Sequence, residues 1–314
     1  MVIAMILLNE AIRSGCSRYP SEDVFGFRET NSGFNCWVID GATSIAVNPM
    51  QYRNDMSDPA WFARALSLSI FNAVGFRAMN EKTISSILLN LRNRYLEKCA
   101  CNVHPHDYPL AAATYVNLQC KADEVILTVL EYADCFFSIS SLDGDFHKSR
   151  FSKPPNPVFS FPVEPKAELP VFSDDLLSKL RVRRLDQNIN GASSALTLRP
   201  ESALTAKKKK YRIRKPTLLL IGSDGFERLW RSYRVRSEDA VQLSARMGRL
   251  LAEMSTLREW ELESNNISNE LKSSDDATVL SIFIDPTHTS LGLSSDLSFR
   301  RISKGSTLYL SRSS

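Results

Sequence analysis

The sequence holds no hydrophobic run long enough to span a bilayer. Its apolar opening, MVIAMILL, has no basic leader and breaks at Asn9-Glu10, which reads as a strand rather than a signal peptide. The six cysteines, at 16, 36, 99, 101, 120 and 135, show no spacing of a disulfide framework. Several stand inside apolar runs, where a reduced thiol behaves as a small hydrophobe, so the expected compartment is reducing and cytoplasmic. With 39 basic and 35 acidic residues, the formal charge of +4 is too small to imply a nucleic-acid partner. There is no internal repeat, and no Ser-His-Asp or Cys-Arg motif of a protein nucleophile.

What the chain has is core. Of its 314 residues 43% are hydrophobic, enough for one large domain or two modest ones. Helical signals come after Asp58-Pro59, with Phe62, Leu66, Ile70 and Val74 every fourth residue, and at Ile84, Ile87, Leu88, Leu91 and Tyr95. A further one begins at Ser237-Glu238-Asp239 and carries Val241, Leu243, Met247, Leu250, Leu251, Met254 and Leu257. Short β-branched runs at 34–39, 113–118, 125–131, 134–140, 217–222 and 278–284 read as strands. Those between 113 and 140 follow too closely for helical crossovers, which favours hairpins and antiparallel pairing.

Between about 145 and 215 the pattern loosens. "KPPNPVFSFPVEPKAELP" holds six prolines and reads as an irregular surface insertion, and the basic run "KKKKYRIRK" at 207–215 follows. After Ile284 a serine-rich tail, 285–314, shows no clear period.

Acidic residues recur at strand ends. "FNCWVIDGATS" runs from a buried strand into Asp40-Gly41, and "TLLLIGSDGFERL" repeats the device at Asp224-Gly225. In "SSDDATVLSIFI" Asp275 and Asp276 stand just ahead of a strand, and in "SRYPSEDVFGF" Glu22 and Asp23 do the same. Asp-Gly is an ordinary turn signal taken singly. Taken together, the four sites suit hard divalent ions, which want about six oxygen ligands and neutralise carboxylates that otherwise repel.

The ordered set "SED", "VIDGATS", "YADC", "IGSDG" and "DDATV" resembles the metal-dependent serine/threonine protein phosphatases of the PP2C (PPM) family, chiefly its bacterial branch, over residues 1–284. Residues 184–204 resemble the region before the last catalytic strand of bacterial members. The resemblance implies an α+β fold, a four-layer α-β-β-α sandwich of two mainly antiparallel sheets. It implies two Mn²⁺ or Mg²⁺ ions sharing Asp40 and a bridging water, with Asp224 and Asp275 each on one ion and the Gly41 carbonyl completing a shell. Glu22 and Asp23 match the family's acidic pair, Asp134 a possible third-metal position, and Arg18 the phosphate-binding arginine. The substrate implied is a phosphoserine or phosphothreonine protein, and the catalytic set is Arg18, Asp40 and Asp224.

Some positions depart from the family pattern. Ala42 replaces a histidine of many eukaryotic members, Ala133 replaces the glycine before the Asp134 motif, and Arg228, beside Glu227, disfavours a third cation by repulsion. Asp276 stands where many members carry asparagine. "CACNVHPHDY" packs Cys99, Cys101, His104 and His106 together, but Cys-x-Cys is not a usual structural zinc spacing. The basic run reads as a solvated loop that could attract acidic phosphopeptides, and "RRIS" at 300–303 is a common short match to a kinase site. The alternatives to a phosphatase are a metal-holding regulatory or binding module of the same fold and, last, a basic nucleic-acid adaptor.

Overall fold

A computed structural model of the chain describes residues 21–30, 33–45, 56–75, 79–99, 103–121, 124–141, 174–189, 194–227 and 276–286, together with the backbone of 5–13. Arg18, Asp275, Arg228, Cys101, the expected helix from 238, the prolines of 154–170 and the tail from 287 lie outside these residues. The architecture is α+β, with two antiparallel sheets stacked face to face. The larger sheet runs β2 (Val24–Thr30), β3 (Gly33–Gly41), β4 (Leu110–Cys120), β5 (Val125–Tyr132) and β8 (Lys207–Ile213), with the short β7 (Leu196–Thr197) added beside β4. The smaller runs β1 (Met5–Arg13), β10 (Ala277–Asp285), β9 (Thr217–Gly222) and β6 (Phe136–Ser141).

Alternation along each strand divides the core in two, because successive side chains point to opposite faces. Phe34, Cys36 and Val38 of β3, with Val116, Leu118, Leu127 and Val129, meet Leu219, Ile221, Leu280, Ile282 and Ile284 between the sheets. The residues in between, Trp37, Ile39, Ala113, Tyr115, Leu130 and Tyr132, face helices α1 (Asp58–Val74) and α2 (Glu81–Lys98). Each large aliphatic side chain so buried contributes about 1.5–3 kcal/mol. The other face of the smaller sheet, with Leu218, Leu220, Val279 and Phe283, is buried as well.

Helix α1 starts where Ser57 accepts the Ala60 amide hydrogen at 3.2 Å, with Pro59 in its first turn. It is pinned to the sheet by Trp37 Nε1, which donates to Ser67 Oγ at 2.8 Å. Helix α2 is capped by Asn80, whose Oδ1 accepts from Thr83 N at 3.0 Å.

Within the stretch expected to be irregular, the described residues form helix α3 (Asp174–Ile189), β7 and β8. The lysine run is an edge strand rather than a loop. It pairs with β5 through main-chain groups, so exposed Lys207–Lys210 do not prevent it. Charged side chains also protect such an edge from pairing with other chains.

Candidate metal centre

The register places the acidic residues at one end of the sandwich. Val24 pairs with Ile39, so Asp23 stands level with Asp40 on neighbouring strands. Tyr132 pairs with Ala113, itself opposite Ile39, so Asp134 leaves the sheet at the same end. In the smaller sheet Val279 pairs with Gly222, which sets Ser223-Asp224 beside Asp276. The sheets meet where the Glu22 amide donates to Asp276 Oδ2. Residues from five separate stretches of sequence thus share one edge.

Local geometry explains the small residues in these motifs. Ser223 N donates to the Thr278 carbonyl at 3.0 Å, and Thr278 N donates back to Ser223 Oγ at 3.0 Å. This pair carries the ladder one residue past β9 before the chain turns at Asp224. A Cβ on Gly225 would lie 2.0 Å from the Asp276 carbonyl oxygen, so only glycine lets the two acidic loops close. Gly41 is similarly wedged, its Cβ position 2.9 Å from the Glu22 carbonyl and 3.0 Å from that of Pro59. Glu22 Oε1 accepts from Ser57 Oγ at 2.7 Å, tying this carboxylate to the positive end of α1.

Asp23 is the most unusual group. It is 2% exposed, and neither carboxylate oxygen has a hydrogen-bond partner. Burial and then the neighbouring Asp276 charge push its pKa up to about 7, although Ser223, Thr278 and Asp40 stand near enough to oppose the rise. Cys135 is buried within the same group. Its thiol is pushed well above the usual range by burial and then by the charges of Asp40, Asp23, Asp134 and Asp224. Asp134 itself is exposed, and Ala133 before it takes a positive φ of 57°.

Two arginines absent from the sequence expectations flank the acids. Arg64 of α1 donates to the Ala60 carbonyl at 3.1 Å and lies near Asp276. Arg184 of α3 donates to the Thr43 carbonyl at 3.4 Å, just past Asp40-Gly41. Burial holds its pKa down to about 10, with Glu22 opposing and Arg183 adding to the fall. The only signal in the sequence was the resemblance of 184–204 to bacterial phosphatases. Away from this edge, His104 and His106 stack at 5.3 Å, and Asp107 accepts from the His104 amide in the turn Pro105–Asp107.

The residues fit a hard divalent ion. Apart from the Cys135 thiol the converging groups offer oxygens, and an unpartnered, solvent-excluded carboxylate against a second carboxylate is a group that a cation would satisfy. Among the described residues, no three carboxylates, histidines or cysteines stand at the spacing of a formed ligand sphere. Among them, too, no helix is long and apolar enough to cross a membrane.

No protein-family model matches the chain, and no curated protein is similar to it in sequence. Solved structures are similar to it over most of their length. The photosystem II phosphatase PBCP is 14% identical over 89% of this chain and 98% of its own, with a TM-score of 0.46. The catalytic domain of serine threonine protein phosphatase PstP, in complex with two manganese ions, is 9% identical over 90% and 99%, with a TM-score of 0.43. Serine/threonine phosphatase Stp1 from Staphylococcus aureus is 11% identical over 91% and 95%, with a TM-score of 0.46.

Proposed function

We propose that this chain is a PP2C-like phosphoprotein phosphatase that hydrolyses phosphoserine or phosphothreonine with two divalent ions, Mn²⁺ or Mg²⁺. The observation that carries the reading is Asp23, a buried carboxylate with no hydrogen-bond partner, set against Asp276 where five acidic motifs meet. Asp40, Asp224, Asp275 and the Gly41 carbonyl would hold the ions, with Glu22 and Asp23 completing the shells directly or through water. When bound, such ions neutralise the cluster, lower the pKa of water and draw charge from a phosphoryl group.

The rest of the chemistry falls to the chain itself. Asp40 is fixed by β3 between two paired strands, so its oxygens hold their place as charge builds. Asp23 is closed off from solvent by the sheets above it, which strengthens its attraction for a cation. Arg18 is assigned to the phosphoryl oxygens, where a guanidinium fork suits developing charge. A reducing, cytoplasmic setting is assigned on cysteines whose spacing shows no disulfide framework.

The test is hydrolysis of p-nitrophenyl phosphate and a phosphothreonine peptide with Mn²⁺, with Mg²⁺ and with EDTA, beside Asp40→Ala and Asp224→Ala. Metal-dependent turnover lost in both variants is the expected result. Metal binding by folded wild-type protein without turnover would replace the enzyme by a regulatory module of the same fold.

A further inference from the structure

We propose that Arg184 is a second phosphate-binding residue of this site, held there by a helix from the segment between β6 and β7 and reaching the substrate independently of Arg18. The inference rests on the phosphatase reading and adds a residue to its substrate pocket.

Helix α3 is fastened by hydrogen bonds along its second half. The Arg199 guanidinium donates to the carbonyls of Asn188 and Ile189, closing the helix C-terminus. One turn apart on a single face, Arg181 Nε donates to the Ile45 carbonyl at 3.2 Å and Arg184 Nη2 to the Thr43 carbonyl at 3.4 Å. The helix therefore lies along residues 43–45, directly after Asp40-Gly41, and Arg184 is the arginine nearer the acids. Its proximity to Glu22 places it beside the carboxylates rather than out along the loop.

The chemistry then separates the two arginines. A guanidinium carries five N–H donors, and the Thr43 carbonyl uses one of Arg184's. The side chain is half-buried. A partly desolvated guanidinium with its parallel donors is suited to the paired oxygens of a phosphate. Apart from Arg18 and Arg64, the charged groups assigned to this edge, Glu22, Asp23, Asp40, Asp224 and Asp276, are acids that repel a phosphate. Arg64 is less suited, since its guanidinium bonds its own helix at Ala60 and faces Asp276.

A purely structural strap would use Arg181 and Arg184 alike, which makes Arg181 the control. The experiment compares wild type, Arg181→Ala, Arg184→Ala and Arg184→Lys by KM and kcat on a phosphothreonine peptide with Mn²⁺. Binding of inorganic phosphate to the Mn²⁺-loaded proteins is followed by calorimetry. Arg184→Ala should weaken phosphate binding and raise KM about tenfold to a hundredfold, the scale of a lost charge-assisted hydrogen bond. Arg181→Ala should stay within about twofold of wild type, as for a contact that only holds the loop. Arg184→Lys keeps the charge without the fork and should fall between. It carries the test if the alanine variant does not fold.

Equal effects of Arg181→Ala and Arg184→Ala, or unchanged phosphate affinity in Arg184→Ala, would overturn the assignment. The two readings fail separately. A wild type that turns nothing over refutes the phosphatase, whereas phosphate affinity decides Arg184 by itself.

Discussion

Replacing Asp23 by asparagine should stabilise the metal-free protein, and more so at high pH. The carboxylate is fully buried, and its pKa moves from an ordinary 3.8 to about 7 on folding. At 1.36 kcal/mol per pKa unit, that interval corresponds to a penalty of about 4 kcal/mol. The sign follows from the direction. A carboxylate whose folded pKa is raised imposes no penalty below pH 3.8, where both states hold the proton. The penalty grows as pH rises and is complete above about 7, when the folded state too must ionise.

Urea unfolding in EDTA, followed by tryptophan fluorescence, would compare the two proteins at about pH 5 and about pH 8, on either side of most of this titration. The advantage of Asp23→Asn should be larger at the higher pH by about 2–3 kcal/mol, the part of the penalty that develops between them. Any loss from the unpaired amide enters equally at both. Adding Mn²⁺ at the higher pH should stabilise the wild type strongly and the variant little. An advantage that does not change with pH would refute the reasoning, because the strain would then not be one of charge.

Ala133→Gly should stabilise the fold by about 0.5–1 kcal/mol, because a left-handed backbone is unfavourable for any residue with a Cβ; thermal unfolding would read it. Replacing Lys207, Lys208 and Lys210 with alanine should weaken turnover of an acidic phosphopeptide several-fold and leave p-nitrophenyl phosphate unaffected. Lys207 pairs with Glu131, so the strand begins at the acidic end of the sheet and runs away from it. Equal losses on the two substrates would remove the strand from recognition.

Helix α1 was legible because a proline, a capping serine and a four-residue apolar repeat all act locally, and β3 because Asp40-Gly41 ends a buried run. The strand-end places of Asp23, Asp40, Asp224 and Asp276 were legible for the same reason, since strand ends announce themselves in sequence. Helix α3 was not. Only Asn188 along it is buried, so it has no apolar stripe to detect, and prolines and lysines flank it. Strand β8 hid behind its lysines because pairing with β5 draws on the main chain, which every residue supplies. Arg184 left no trace of its place, for its hydrogen bond goes to a carbonyl 141 residues away and selects no partner type.

The position of β10 has a consequence for synthesis. It lies between β1 and β9 in the smaller sheet, so among the described strands the first and the ninth are joined through the one that comes last in chain order. Asp276 arrives with it and closes onto Glu22. A nascent chain can thus pair the six strands of the larger sheet and dock α1 and α2 while its acidic edge is still open. The acidic edge is complete only once that strand has paired.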